Sequence, residues 1–209
     1  MSKPKLILIG AGGHAQSCID VIEHQKHYQI AGLVGSPEEL NSQTLGYPIF
    51  ATDLELGGLS QEYPWALVTV GQIKTPKIRM RLYKNLIDSG FKLPTIISPA
   101  AYVSSRASIG PGTIVMHGAV INAGACIGSN CIINSCALVE HGAIVGDHVH
   151  ISTGAILNGN SSVGSGSYVG SAAVIREGIK VGDDCLVGMG LNVRHSLLNG
   201  IQFLGERGP

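Results

Sequence analysis

Beginning at Ile97, every sixth residue is Ile, Val or Leu: Val103, Ile109, Val115, Ile121, Ile127, Ile133, Val139, Val145, Ile151, Leu157, Val163, Val169, Ile175, Val181, Val187 and Val193 succeed it without an insertion. Four residues after most of these anchors the side chain is small, as at Ala107, Thr113, Ala119, Ala125, Cys131, Ala137, Ala143, Ala155, Ser161, Ser167 and Ala173. A period of six matches neither an amphipathic helix nor an alternating strand. It is the signature of a parallel β-helix in which each hexapeptide forms one side of a triangular coil, with about eighteen residues to a turn. Stacked by parallel pairing about 4.8 Å apart, such coils would build a prism about 25 Å tall. The anchors would fill its axis, and the small residues would fit under its corners. A glycine content of 29 in 209 residues, with few aromatics at 5%, suits a chain of many tight corners.

Residues 1–92 follow a different rule. "KLILIG" reads as a buried strand and "AQSCIDVIEHQ" as the helix after it. "QIAGLVG" and "WALVTVG" read as two more strands, the second preceded by the turn-rich "GYPIFATDLELGG". "TPKIRMRLYKNLIDSG" predicts an amphipathic helix from Thr75 to Gly90, with Pro76 at its first position. Strands alternating with helices imply a small parallel sheet of Rossmann type. The expected organisation is thus a Rossmann-like α/β domain over 1–92, an all-β hexapeptide β-helix over 97–198 and a C-terminal tail over 199–209. The first strand leads into Gly10-Ala11-Gly12-Gly13-His14-Ala15, which matches G-x-G-x-x-[GA] between a strand and a helix. Backbone N–H groups at that helix start could hold a phosphate. A dinucleotide would call for an acid at the end of the second strand, where the chain reads Leu33-Val34-Gly35-Ser36 and the first acids are Glu38 and Glu39. A nucleotide-sugar diphosphate and a bare structural turn are the other readings.

Bulk properties exclude several classes. A 44% hydrophobic content with 13% charged residues predicts a well-buried core, and a net charge of zero lacks the basic footprint of a nucleic-acid binder. No apolar run is long enough to span a bilayer, and the N-terminal one is too short for a signal peptide; a cytoplasmic protein is expected. Cys18, Cys126, Cys131, Cys136 and Cys185 show no C-x-x-C spacing and read as reduced core fillers.

Within the repeat, "INSCALVEHGAIVGDHVHIS" gathers Glu140, His141, Asp147, His148 and His150 among small and aliphatic residues. This stretch, "GAGGHA" and the uninterrupted prism together resemble the NeuD/PglD-type sugar O-/N-acyltransferases of bacterial surface-glycan synthesis. The "EHG" and "ISTGAILNG" segments look more like the sialic-acid-pathway NeuD branch. The resemblance implies a left-handed β-helix, a homotrimer, and acetyl-CoA as co-substrate with no metal. It implies as acceptor a UDP-linked or other nucleotide-linked amino-sugar, or a sialic-acid-type sugar; from charge and hydropathy, neither nucleic acid nor membrane is expected as partner. It places His141 on the family's catalytic histidine, Asn134 on the nearby asparagine and His150 on a histidine near the thioester. Gly10, Gly12, Gly13 and His14 fall on the sugar-nucleotide loop. Glu140 is grouped with the catalytic residues as a candidate to orient an imidazole, and Gly159 and Gly188 are assigned to the coenzyme. Three departures stand out: Gly142 occupies the position where many relatives carry an acid, the second strand lacks the acids common in the family, and "LGERGP" replaces the usual C-terminal "G-x-P-A-K".

The eighteen-residue turn also fixes which residues are neighbours. Ala123 lies one turn below His141, Gly159 one turn above and Glu177 two above, leaving a niche around the ring. An imidazole there could take the proton of an attacking amine or hydroxyl near neutral pH, a role typically contributing 10²–10⁴-fold. His141 could equally be a solvated turn residue. His117 and His195 share its place in the repeat but not its neighbourhood, and read as structural. Two competing functions are a non-catalytic nucleotide-sugar scaffold and a zinc hydratase using His141, His148 and His150.

Overall fold

The computed structural model describes residues 3–205. The N-terminal unit is a five-stranded sheet in the order β3-β4-β2-β1-β5. Its elements are β1 (Lys5–Ile9), α1 (Gly13–Gln25), β2 (Gln29–Gly35), β3 (Gln43–Thr44), β4 (Tyr47–Thr52), α2 (Leu56–Leu59), β5 (Trp65–Val68) and α3 (Lys77–Asp88). The expected parallel arrangement holds for β4-β2-β1-β5, with β3 antiparallel at the edge. The segment read as turn-rich instead contributes β4, pairing in parallel with β2. Gly46 and Pro48 disguise it, yet Pro48 sits beside the hairpin turn while Ile49 and Ala51 alternate into the core. α3 begins one residue later than expected, with Pro76 as its cap and the Thr75 hydroxyl accepting the Lys77 N–H at 3.3 Å.

From Ile96 onward the chain winds as a left-handed parallel β-helix of two-residue strands. Its first face stacks Tyr102–Val103, Val120–Ile121, Leu138–Val139, Ile156–Leu157, Val174–Ile175 and Asn192–Val193. The second stacks Ser108–Ile109 through Lys180–Val181, and the third Ile96–Ile97 through Leu186–Val187. Pairings such as Ile121↔Val139 and Ile133↔Ile151 confirm the eighteen-residue turn. Anchors from Val115 to Val193 and the small corner residues form one buried cluster, whereas Ile97, Val103 and Ile109 at the open end are only partly covered. The repeat does not stop at Val193. Leu197 bridges Val181 and Phe203 pairs with Val187, so the last coil is two residues short and Gln202–Phe203 extends the third face. The remainder of the tail, residues 206–209, lies outside the described residues.

The two units dock through the outer side of the third face. There Ile96, Ile114 and Ile132 join Leu6, Ala15, Cys18, Ile19 and Ile22 in one cluster, with α1 wedged against the prism. At the next turn the same outward row changes character to His150. Cys18, Cys131 and Cys185 are buried fillers as expected, but Cys126 and Cys136 are exposed, because their hexapeptide positions face outward.

Candidate active site

The glycine turn opens a cleft at the end of the N-terminal sheet. Gly10 adopts φ +111, and a Cβ there would collide with Val70. Its N–H donates to the Val34 carbonyl at 2.8 Å and its carbonyl accepts the Thr69 hydroxyl at 2.6 Å, so the turn is held from both sides. Among the described residues, no atom beyond the chain neighbours and the helix's own backbone lies within 4 Å of where a Cβ would stand at Gly12 or Gly13. α1 starts at Gly13 with no side-chain cap; the Ala15 N–H turns back to the Gly12 carbonyl at 2.9 Å, so the Gly13 and His14 N–H groups at the cleft are the ones that could hold an anion. The cleft, about 460 Å³, runs from Gly10–His14 past Gly35–Pro37 and Glu39 to Thr69–Gly71, with the Asp53–Arg81 pair at 3.0 Å on its rim. Glu39, which falls after the strand end where a dinucleotide-binding acid is sought, does line the cleft: the 3₁₀ turn Pro37–Glu39 folds it back. Its carboxylate accepts the Ser36 N–H at 2.9 Å.

Behind the cleft lies a seam of polar groups between the two units. His150 is buried; its Nδ1 lies 2.6 Å from the Gln72 carbonyl and its Nε2 3.1 Å from Asn134 Nδ2. That pair of partners requires Nδ1 to carry the proton and Nε2 to accept from the amide. Burial pushes the ring down to about 4, partly opposed by the Gln72 hydrogen bond, with the Arg79 charge lowering it further. His14, on the first turn of α1, is pushed down to about 3, chiefly by burial and then by Arg79 and His150. Its Nε2 has no hydrogen-bond partner among the described residues. Arg79 is fully buried, donating to the carbonyls of Val68, Val70 and Asn130 and to Asn130 Oδ1 at 2.8 Å, and pairs with no carboxylate among the described residues. It ties the cleft floor to a prism corner.

His141 stands elsewhere, at the corner between the first and second faces, after Leu138–Val139 and before Ile144–Val145. Its imidazole is 67% exposed and lies across Gly159, where a Cβ would come within 2.5 Å of Cε1. The neighbours expected from the eighteen-residue turn are in place: Gly142 donates to the Ala123 carbonyl, Asn160 to that of His141 and Gly178 to that of Gly159. Glu140 Oε2 lies 3.5 Å from His141 Nδ1, accepts the His141 N–H at 3.2 Å, and is held by Asn122 Nδ2 at 2.9 Å. These bonds, Asn122 foremost, keep the Glu140 carboxyl below the usual range. Gly142 has φ +65, a backbone that favours glycine, and the Asn160 side chain fills the space an extra side chain would need. The carboxylate beside this histidine therefore precedes it in the chain.

The candidate residues thus form two groups. Glu140, His141 and Gly159 share a prism corner, while His14, Asn134 and His150 meet at the seam beside the glycine turn of Gly10, Gly12 and Gly13. Gly188 belongs to neither, packing against Leu191 and Leu204. Nor do His141, His148 and His150 form a cluster: His148 Nδ1 lies 2.9 Å from Asn130 Nδ2, at another corner. Asn122, Gln72, Arg79 and the Asp53–Arg81 pair are additions to the residues singled out from sequence. Asn122 sits one eighteen-residue turn before Glu140, and Arg79 keeps helical spacing with Leu82, Tyr83 and Leu86, so both carried a signal.

Residues 5–86 match the family model of the PglD N-terminal domain. Over the whole chain, the fold is similar to the acetyltransferase domain of PglB from Neisseria gonorrhoeae in complex with acetyl coenzyme A, at 34% identity, with 95% of each chain covered and a TM-score of 0.87. It is also similar to a His-to-Asn variant of perosamine N-acetyltransferase from Caulobacter crescentus in complex with CoA and GDP-perosamine. There the identity is 31%, 95% of this chain and 92% of that one are covered, and the TM-score is 0.89. No curated protein matches the chain.

Proposed function

The chain belongs to the PglD/NeuD-type family of sugar acetyltransferases, and from that premise we propose that it moves the acetyl group of acetyl-CoA onto the amine of a nucleotide-linked amino sugar in surface-glycan synthesis. One observation carries the reading: an exposed imidazole is laid over a side-chain-free position and backed by a carboxylate that is itself held by an amide. In this mechanism the sugar amine attacks the thioester carbonyl while His141 Nε2 takes its proton. Glu140 accepts from Nδ1–H, orienting the ring and stabilising the imidazolium. The C–S bond breaks, the CoA thiolate leaves, and the proton on His141 is the one available to neutralise it. The nucleotide diphosphate lies on the N–H groups at the start of α1. A GDP-linked amino sugar in the Caulobacter enzyme and acetyl-CoA in the gonococcal one support this division of substrates.

In a single protomer the N-terminal unit that carries the glycine-turn cleft docks on the third face, while His141 occupies the corner opposite that face. We read the working enzyme as a cytoplasmic homotrimer in which His141 of one protomer meets the cleft of its neighbour. The test is thiol release from acetyl-CoA against UDP- and GDP-linked amino sugars, CMP-sialic acid and free sialic acid, with mass spectrometry of the product. Turnover with an amino sugar and an acetamide product are expected. Turnover confined to a sialic acid, giving an ester, would move the acceptor to the hydroxyl-bearing class. Acetyl-CoA that is bound but never consumed would favour a non-catalytic scaffold.

A further inference from the structure

The sequence reads His117 as structural, but it meets two side chains of α1 at the corner between the third and first faces. Asp20 and His24 lie one turn apart on α1, the i, i+4 spacing that brings two donors to one helix face. His117 Nε2 is 2.7 Å from Asp20 Oδ2, and His24 Nδ1 is 3.8 Å from Asp20 Oδ1. The two imidazoles meet edge to face, their centres 5.4 Å apart. One donor atom from each of the three residues lies within 4.8 Å of the others. The His117–Asp20 pair would satisfy itself without His24, whose one hydrogen bond among the described residues is to the Asp20 carbonyl of its own helix at 3.2 Å.

We propose that Asp20, His24 and His117 form a binding site for a divalent transition-metal ion of the zinc class, strapping α1 to the prism outside the acetyl-transfer reaction. Two imidazole nitrogens and one carboxylate suit zinc, cobalt or nickel, whereas calcium and magnesium require more oxygens. The remaining coordination position opens to solvent, since Asp20 and His24 side chains are more than half exposed.

The inner end of His117 is prepared for this role. Its Nδ1 lies 2.6 Å from the hydroxyl of Ser98, which is buried and already accepts the Ala100 N–H at 3.0 Å. Without metal, the Ser98 O–H donates to Nδ1 and Nε2–H donates to Asp20. With metal, Nε2 gives up its hydrogen and coordinates; the ring takes one at Nδ1 and donates it to Ser98, whose hydroxyl rotates away. The orientation of the ring is kept.

Chelator-treated protein, titrated with Zn²⁺ by calorimetry, should bind about one ion per chain and saturate well below millimolar zinc. H24A and D20N should each weaken binding tenfold or more while leaving CoA release unchanged. The His24 side chain is exposed, so H24A tests the site without threatening the fold, and an unchanged Tm without zinc checks this. Zinc should raise the Tm of the parent and not that of H24A. Equal affinity in parent and H24A, or no binding up to millimolar zinc, would overturn the proposal.

Discussion

At the residue scale, the site depends on what is missing from a side chain as much as on what is present. Gly159 matters because the His141 ring occupies the place of its Cβ. Gly159→Ala should push the imidazole off the wall and lower kcat/KM about tenfold, the effect of a misplaced base, with little change in Tm; an unchanged kcat/KM would mean that the ring's placement does not matter. His150 makes a separate prediction through pH. Its folded value of about 4 lies below the ordinary 6.5, so between those values the unfolded chain binds a proton that the native ring does not. The stability this neutral ring supplies is complete above pH 6.5 and is lost as pH falls toward 4, by up to about 1.4 kcal/mol per unit. His150→Asn should therefore lose less stability than the parent between pH 7 and pH 5 in urea unfolding. Equal losses would show that the ring is not held neutral.

At the element scale, the prism was almost fully legible, because a six-residue beat leaves each anchor one destination. What the beat hid was its own end. Four residues rather than six separate Val193 from Leu197, so counting by six lands on Asn199, while the wall resumes through Leu197 and Phe203. β4 was missed because Gly46 and Pro48 are turn residues by composition, and only pairing with β2 draws Ile49, Phe50 and Ala51 out into a strand. Neighbours one coil away could be counted off, and Gly159 and Ala123 stand where the count put them. The seam obeys no such count, since no period relates Gln72 or Arg79 to His150 and Asn130. Arg79 shows how much α3 contributes there: its guanidinium serves three carbonyls and an amide oxygen at once. Arg79→Lys cannot reproduce that fork and should cost about 2–5 kcal/mol in urea unfolding. A loss below about 0.5 kcal/mol, the range of ordinary surface changes, would contradict this role.

At the scale of the whole molecule, the two groups of residues proposed to form the site lie on different sides of one protomer, and the proposed trimer brings them together. Gly12→Asp places a negative charge over the start of α1 without a steric clash, and should abolish binding of the nucleotide sugar. Trimers assembled from equal amounts of Gly12→Asp and His141→Ala chains should recover about a quarter of parental activity if each site combines a corner from one protomer with a cleft from the next. No recovery would place the whole site within one chain. The most direct measurement is CoA release by His141→Ala with acetyl-CoA and a nucleotide-linked amino sugar. The mechanism requires kcat/KM to fall 10²-fold or more at an unchanged Tm; turnover equal to the parent's would mean that the corner imidazole does not move the proton.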